Sequence, residues 1–533
     1  MPRVRQQIRQ IFGKLPLAVQ IDYKLRWNNQ PIGGFRMERL RTAIPEMKRD
    51  IAKSQYKDFG RKKVFIFSTL HYWVEHTATL GLTLAGLGYD VTLGFLPFAN
   101  WHTRIDDFQI RQQNAYGNSV LNKAKPEIHI EELINYPRAE TLPLEIIEIV
   151  EKTSFLDTQY DEQIEQVSKE SPLYEFRVER NTDAARIAYQ WLSDYQPDAL
   201  IVPNGLILEF GIFFQVARHL EIPVTTYEFG EQKQRTWLAQ NDPVMYQDTK
   251  TMWESTKDKE FDNSKNERIQ ELVSSRQGAT LWNNFYRKWQ DSPSEGEIAV
   301  KTKLGLDERP IVLMATNVLG DSLTLDRQTF SESLTEWVKR SLDYFVENDK
   351  IQFVLRTHPG EFGLTGPSVA KIAKEYLGGK VPENIRLIAP DAPVNTYDLI
   401  EAADVGMTYT TTVGLEMAMS GLPVISVGKT HYRGKGFTID PETWEDYFSN
   451  LDLALKDPKA LRLSKQQVKD AWHYAYRYFF NYPKVFPWHL MHFTEDLDNN
   501  PLERIFTKEG LEKYGETFKS LVSDPVDWTI EAI

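Results

Sequence analysis

The chain of 533 residues contains no cysteine, and this absence excludes both disulfide-stapled scaffolds and zinc sites built on thiolates. It also lacks an apolar run long enough to span a bilayer, because the longest candidate, residues 199–217, is broken by Pro203 and Glu209. No secretory signal is visible at the N-terminus. We therefore expect a cytoplasmic protein that is not an integral membrane protein.

Positive charge is in deficit, since 63 Lys and Arg stand against 75 Asp and Glu and give a net charge of −12. A general nucleic-acid binder needs a basic face, so this class is excluded, and an anionic ligand must meet a local positive site. Residues 1–27 are the exception, because six basic residues and one acidic residue give this segment +5. We expect this part of an N-terminal extension over residues 1–60 to pack as an arm on the protein or to touch an anionic membrane surface.

Two parts of the chain alternate strand-length apolar runs with amphipathic helical stretches, a pattern that predicts parallel sheets covered by helices. The first part, residues 61–300, is interrupted by residues 102–172, which show few clear elements. The second part is residues 301–470. The whole chain of 533 residues is too long for a single hydrophobic core, which predicts at least two domains. The predicted strands cover residues 63–69, 89–96, 199–203, 223–228, 311–315, 352–356, 384–388, 404–409 and 422–427.

Residues 471–533 form a tail with an unusual concentration of aromatic side chains. Ten of the 22 residues from 472 to 493 are Phe, Trp or Tyr. A C-terminal helix that crosses back onto the first domain would bury this surface, whereas an interfacial membrane belt is the alternative.

Common cofactor and metal motifs fail on their spacing. Gly86 and Gly88 match the first two glycines of a dinucleotide fingerprint, but Val91 stands where the third glycine is needed. Residues 428–430 resemble the end of a phosphate loop, but no glycine stands at the required spacing before them. The pair Asp496 and Asp498 lies in a solvated acidic stretch. We therefore expect neither NAD nor a required metal ion.

Three polar segments follow predicted strands of the second series, and parallel strands present their carboxyl ends at one edge of a sheet. The first contains Arg356 and His358-Pro359, whose turn places the imidazole at the mouth of the crevice. The third, residues 429–436, carries three basic residues and no acid. Together these segments predict an anion site at that edge.

The second segment, residues 408–416, combines threonines with the start of a predicted helix. We expect the hydroxyls to cap this helix and Gly414 to keep its first turn uncrowded, so that free N–H groups and the helix dipole suit a phosphate. Glu416, one turn further on, is placed to reach a ribose or sugar hydroxyl.

The order of these motifs resembles that of bacterial capsule polysaccharide biosynthesis proteins, a family related to inverting transferases of keto-deoxy-octulosonate. The resemblance covers residues 350–440 and includes a Gly-x-Pro-Val-Ile segment that begins at Gly421. It implies an α/β protein of the GT-B fold, in which two Rossmann-like parallel-sheet domains face each other across a cleft. The N-terminal domain would take the acceptor and the C-terminal domain the nucleotide-sugar donor.

The resemblance implies a metal-independent, inverting glycosyltransferase that uses no cofactor and acts on a hydroxyl of a cell-surface glycan or lipid-linked acceptor. Related proteins suggest a CMP-linked keto acid as donor, while UDP and GDP sugars stay open. In similar enzymes a His-Pro motif meets the donor phosphate, which maps onto His358 and Pro359, and a hydroxyl pair maps onto Thr411 and Thr412. The expected donor-binding residues are Arg356, His358, Pro359, Thr410, Thr411, Thr412, Gly414, Glu416, Lys429, Tyr432, Arg433 and Lys435.

A general base is expected from the first domain. The segment Glu228-Phe-Gly-Glu231 follows a predicted strand and resembles an acidic segment of capsule relatives, so Glu228 leads and Glu231 follows. His71, after the first strand, is an alternative base. Two rival functions stay open, a nucleotide-sugar epimerase of the same fold and a non-catalytic carbohydrate-assembly protein, and the oligomeric state is open as well.

Overall fold

A computed structural model describes residues 18–26, 31–56, 62–288 and 290–531. Most of the basic N-terminal segment, residues 1–17 and 27, lies outside the described residues, so its expected contact with the protein or a membrane stays a prediction. In chain order, the helices and strands up to residue 240 are α1 (Ala18–Arg26), α2 (Glu38–Lys53), β1 (Lys63–Ser68), α3 (His71–Gly86), β2 (Asp90–Phe95), α4 (Asp107–Leu121), β3 (His129–Glu132), α5 (Leu144–Glu162), α6 (Pro172–Tyr195), β4 (Ala199–Pro203), α7 (Leu208–His219), β5 (Val224–Glu228) and β6 (Arg235–Gln240).

The second half of the chain continues the alternation. Its elements are α8 (Lys250–Thr256), α9 (Asn263–Gln277), α10 (Glu297–Leu304), β7 (Ile311–Ala315), α11 (Leu334–Glu347), β8 (Gln352–Arg356), α12 (Val369–Tyr376), β9 (Ile385–Ile388), α13 (Thr396–Ala402), β10 (Val405–Thr408), α14 (Val413–Met419), β11 (Val424–Ser426), α15 (Trp444–Lys456), α16 (Lys465–Phe480), β12 (Lys484–Val485), α17 (Phe493–Asn499), α18 (Leu502–Ile505) and α19 (Lys508–Leu521).

The chain folds into two compact units. Unit 1 comprises residues 1–157, 168–245 and 484–527, and unit 2 comprises residues 158–167, 246–483 and 528–533. Each unit has its own sheet with helices on it, mostly parallel in unit 1 and wholly parallel in unit 2, so the predicted α/β class with two Rossmann-like sheets is confirmed.

The sheet of unit 1 has the order β12-β6-β5-β4-β1-β2-β3. From β3 to β5 the strands are parallel, whereas β6 and β12 extend the β5 side as antiparallel strands. The apolar face of α7 packs on this sheet, and the rings of Phe67 and Phe213 stack with centroids 3.5 Å apart. The strand order reverses direction between β1 and β4, which makes this pair the topological switch point.

The sheet of unit 2 has the order β11-β10-β7-β8-β9, and all its neighbouring strands are parallel. Its last residues lie level, because Thr408 pairs with both Ser426 and Ala315, and Ala315 pairs with Arg356. The helix α11 buries Leu334, Trp337, Val338, Leu342 and Phe345 against the sheet, at the i, i+3, i+4 spacing of an amphipathic helix. Here β7 and β10 form the switch point.

The boundary between the units is at Tyr246, whereas the sequence led us to expect it near residue 300. Residues 246–300 belong to unit 2 because α8 and α9 pack against α16. Residues 158–167 also belong to unit 2 because of their contacts. The Glu165 carboxylate accepts hydrogen bonds from Leu334 N at 2.7 Å and Thr335 N at 2.8 Å, at the start of α11. An acidic group at a helix N-terminus is favoured by the helix dipole.

The aromatic tail contributes to both units. The helix α16 buries Tyr474, Tyr478 and Phe479 in unit 2, and the following residues return to unit 1, where β12 pairs with β6 and Trp488 is fully buried. The interior thus takes up most of this aromatic surface. Within the described ranges, no helix is both long and apolar enough to cross a membrane.

Candidate functional site

The loops after β8, β7, β10 and β11 meet along the carboxyl edge of the unit 2 sheet. Tyr432, after β11, donates its hydroxyl proton to Thr411 O at 2.8 Å, which ties the basic loop to the threonine loop. Asn317, after β7, accepts from Thr410 N at 3.0 Å. Thr316 N donates to Arg356 O at 3.1 Å. The three segments singled out in the sequence therefore belong to one connected edge.

His358 has a fixed orientation and a fixed protonation state at neutral pH. Its Nδ1 accepts a hydrogen bond from Gly360 N at 2.9 Å, so the neutral ring carries its proton on Nε2. A side chain at residue 360 would collide with this ring, since an added Cβ would lie 2.8 Å from Nδ1. Burial, aided by Arg356 and Arg287, lowers the pKa of His358 to about 4. The ring is a neutral Nε2–H donor of the kind that suits a phosphate oxygen.

Several polar atoms at this edge are buried without a partner. The hydroxyls of Thr357 and Thr410 and the Nε of Arg356 make no hydrogen bond to any described residue. Leaving a buried donor or acceptor unsatisfied costs about 1 to 3 kcal/mol, so such groups are rare unless they serve a ligand. Two of these groups precede His358 directly in the chain and the third belongs to the threonine loop, so this edge is the candidate donor site.

Two predicted donor-binding residues have other partners. Arg433 donates to Ser426 O and Pro441 O, both at 2.5 Å, and pairs with Glu442 at 2.9 Å, so its guanidinium holds its own loop together. Glu416 forms a buried ion pair with Arg276 and accepts from the Tyr397 hydroxyl at 3.0 Å. These contacts hold the two side chains in place, and their expected roles on a phosphate and a ribose stay predictions.

The helix α14 begins differently from the expectation. Thr412 occupies the N-cap position with φ −60° and ψ −19°, a helical conformation in which its side chain makes no capping hydrogen bond. The nearest approach to a cap is Val413 N to the Thr411 hydroxyl at 3.4 Å. Gly414 is required because a side chain there would collide with the Tyr432 hydroxyl.

The remaining predicted donor-binding residues form the rest of this edge. Arg356 donates to Ala389 O at 2.8 Å and to Val394 O at 3.4 Å, and burial lowers its pKa to about 10. Lys429 is exposed, and its backbone is braced by Arg327 through bonds of 2.9 and 2.6 Å. Burial also lowers the pKa of Lys435. Pro359 opens the 3₁₀ turn after His358.

In unit 1 the leading base candidate, Glu228, ends β5 at the carboxyl edge of its sheet. Burial raises its pKa to about 7. The Asn204 amide donates to Glu228 Oε2 at 3.3 Å, and Phe229 N donates to Oε1 at 3.0 Å. Asn204 is held in turn, because its Oδ1 accepts from Leu206 N at 3.1 Å. A carboxylate of this pKa is suited to general-base catalysis near neutral pH.

The other two base candidates lie on the same edge or close to it. His71 opens α3 directly after β1, its Nδ1 has no hydrogen bond among the described residues, and burial lowers its pKa. The neighbouring hydroxyls of Ser68 and Thr69 are likewise buried without a described partner. Glu231 is half-buried in the loop before β6. Glu228 is thus distinguished from its two rivals by the raised pKa of a carboxylate and by a dedicated amide partner.

Asn204 and Asn317 were missed by the sequence reasoning, although both follow a parallel strand at a switch point. The rule that polar residues just past such strands face ligands would have selected them. Arg276 had no such signal, since 140 residues separate it from Glu416. In the described ranges, no group of three His, Asp or Glu side chains is placed to hold a metal ion. A metal-independent reaction remains a prediction.

The comparison with protein families agrees with the motif resemblance. The family model described as capsule polysaccharide biosynthesis protein matches residues 246–458. No curated protein matches the chain. Among solved structures, the chain is similar to Thermosulfurimonas dismutans KpsC, beta Kdo 2,4 transferase, at 16% identity and TM-score 0.33, over 54% of this chain and 82% of that chain. A second structure, Thermosulfurimonas dismutans KpsC, beta Kdo 2,7 transferase, matches at 17% identity and TM-score 0.31, over 58% of this chain and 88% of that chain. The S. aureus MnaA-UDP co-structure matches at 12% identity and TM-score 0.30, over 87% of this chain and 99% of that chain.

Proposed function

Because residues 246–458 match the capsule polysaccharide biosynthesis family, we propose that the protein is a glycosyltransferase. It moves a sugar from a nucleotide-activated donor to a hydroxyl of a cell-surface glycan or a lipid-linked acceptor. The observation that carries this proposal is the complementary chemistry of the two sheet edges. One edge holds a carboxylate with a pKa of about 7, and the other holds a neutral histidine donor close to Arg356 and Arg287.

The donor half of the reaction belongs to unit 2. The Nε2–H of His358, the unpartnered hydroxyl of Thr410 and the ammonium of Lys435 bind the phosphate that links nucleotide and sugar. They stabilise the negative charge that develops on this phosphate as the bond to the anomeric carbon breaks. Arg433 holds the basic loop and Arg356 the loop after β9, so both position the edge without serving as primary phosphate ligands.

The acceptor half belongs to Glu228. Its carboxylate takes the proton of the acceptor hydroxyl while that oxygen attacks the anomeric carbon. The bond from this carbon to the phosphate oxygen breaks in the same displacement, and the nucleotide leaves with the electron pair. One such displacement inverts the anomeric configuration. The cytoplasmic location and the contact of the basic N-terminus with a membrane surface remain predictions.

Calorimetric titration of CMP, UDP, GDP and CDP into the purified protein tests the donor site. We expect one nucleotide to bind clearly more tightly than the other three. The corresponding sugar nucleotide, incubated with a glycan acceptor, should then give an elongated product. Conversion of the sugar nucleotide without an acceptor would instead show an epimerase, and nucleotide binding with no conversion under any acceptor would show an assembly protein.

A further inference from the structure

Unit 1 contains a second concave site that the proposed chemistry does not use. Gln234, Asn500, Arg504, Thr507, Lys513 and Tyr514 line a pocket of about 500 Å³. This volume falls within the range of about 300 to 1,000 Å³ that is typical of small-molecule sites. Amide, hydroxyl and cationic groups line it together, a combination that suits a sugar carrying a negative charge.

The charge of this pocket is unusual for an acidic protein. Lys513 donates to Gln234 Oε1 at 2.9 Å and Arg504 donates to Asn499 O at 2.9 Å, yet neither side chain forms an ion pair with a described residue. Partial desolvation of the exposed Lys513 side chain, with Arg235 and Arg504 nearby, holds its pKa below the ordinary value. Glu509, exposed at the rim, is the acidic lining residue. Cations gathered in this way repel one another until an anion joins them.

The pocket lies past the carboxyl end of β5, on the face of the sheet that packs against α19, whereas the Glu228 side chain leaves the opposite face. Strand β6 runs antiparallel to β5, and Trp237 pairs with Glu228. Gln234 stands three residues before Trp237, which places it roughly 10 Å beyond the end of β5 along the strand direction. Phe486 N donates to Gln234 O at 3.0 Å and fixes this end of the strand. A glycan whose reacting hydroxyl lies at Glu228 therefore reaches the pocket by passing around the end of β5.

We propose that this pocket binds an acidic sugar residue of the acceptor glycan, through a carboxylate or a phosphate held by Lys513 and Arg504. The inference rests on the proposed function for its biological meaning, but the binding itself does not. The Gln234 amide N–H group supplies a hydrogen bond for a sugar hydroxyl. The side chains of Asn500 and Thr507 shape the wall of the pocket, because their polar groups are already bound within the protein. The pocket thereby selects acceptors that carry a negative charge.

Binding of small sugars to the full-length protein tests this proposal. The probes are glucuronate, glucose 6-phosphate and glucose, which share a ring and differ in charge, and binding is measured by calorimetry at low ionic strength. We expect at least one of the two anions to bind and glucose to give no comparable signal. The comparison of glucuronate with glucose 6-phosphate separates recognition of carboxylate from recognition of phosphate.

The variants are chosen from exposed side chains, so that folding is preserved. Lys513→Ala combined with Arg504→Ala should weaken binding of the anion by roughly tenfold or more, since the double variant removes both cations that attract it. Lys508→Ala is the matched control, because it removes the same charge from the same helix outside the pocket lining. Its affinity should equal that of the unmodified protein.

Equal affinity for glucose and the anions, or anion binding that survives the double substitution, would overturn the proposal that this pocket binds an acidic sugar. Nucleotide titration of the same double variant separates this failure from that of the proposed function. Unchanged nucleotide binding together with absent anion binding refutes the pocket alone. Anion binding that needs Lys513 and Arg504, in a protein that transfers no sugar, supports the pocket and refutes the transferase.

Discussion

At the carboxyl edge of the unit 1 sheet the central side chain is a carboxylate, Glu228, whereas at the same edge of the unit 2 sheet it is an imidazole, His358. The two sheets share one strand order around their switch points, β3-β2-β1-β4-β5 and β9-β8-β7-β10-β11. Burial acts on both groups with opposite consequences, since it raises the pKa of the acid to about 7 and lowers that of the base to about 4. The same topology thus yields a proton acceptor in one unit and a neutral hydrogen-bond donor in the other.

The largest effect is expected from removing the proton acceptor. Glu228→Gln should lower turnover by roughly 100-fold to 10,000-fold, the usual contribution of a general base. Steady-state assays with the matching sugar nucleotide measure this loss. Glu231→Gln is the control. Comparable losses of turnover in both variants would contradict the assignment of Glu228 as the general base.

The same substitution should also stabilise unit 1 at high pH. The pKa of Glu228 is raised in the folded state, so its stabilising effect is full below the unfolded pKa and is lost as pH rises toward 7. Glu228→Gln removes this penalty, and chemical denaturation should show it more stable than the unmodified protein at pH 8 but not at pH 4. A variant that is less stable at pH 8 would contradict the raised pKa.

In unit 2 a large effect on stability is expected at the buried pair of Arg276 and Glu416. Glu416→Ala should lower the free energy of unfolding by about 3 to 5 kcal/mol, because it leaves a buried guanidinium without its partner. Denaturant titration measures this change. Tyr397→Phe removes one hydrogen bond to Glu416 and keeps the ion pair, so its cost should be nearer 1 kcal/mol. Equal costs would show that the charge pair is not the stabilising contact.

How far the sequence predicts the two edges can be judged from particular elements. The strands at 199–203, 311–315 and 352–356 agree with the structure residue for residue, because buried parallel strands are short apolar runs. Residues 102–172 were not divided into elements, although they contain α4, β3 and α5. Their polar helices carry a weak periodic signal.

The partners of the charged site residues were the least predictable part. The sequence predicts a phosphate partner for Arg433, and the contacts that it did not predict are those of the guanidinium with Ser426 O and Pro441 O. A sequence shows that a loop is basic, but the direction of each long side chain depends on which carbonyl groups the tertiary fold brings near. The amide of Asn204 beside Glu228 is a second case, since the two residues lie on neighbouring strands.

A smaller effect is expected from this amide. Asn204→Gly keeps the left-handed backbone at φ 59° accessible and removes the hydrogen bond that favours the ionised carboxylate. The rate should rise with pH through about 7 in the unmodified protein, and its midpoint should move upward by roughly half a unit to one unit in the variant. A pH profile of kcat/KM measures the shift. An unchanged midpoint would show that the Asn204 amide does not affect the pKa of Glu228.

The smallest effect should come from Arg433. Because its guanidinium is bound by its own loop, Arg433→Ala should change nucleotide affinity by less than about threefold, whereas Lys435→Ala should weaken it more. Calorimetry on both variants makes the comparison. A larger loss at Arg433 than at Lys435 would restore the arginine as the phosphate ligand.

Nucleotide titration into two variants tests the division of roles most directly. With the nucleotide that binds best, Glu228→Gln should keep the dissociation constant of the unmodified protein, while His358→Ala should raise it at least roughly tenfold and lower turnover by roughly 100-fold. Unchanged binding in His358→Ala, or a comparable loss of binding in Glu228→Gln, would contradict the assignment of the donor to unit 2 and of the base to unit 1.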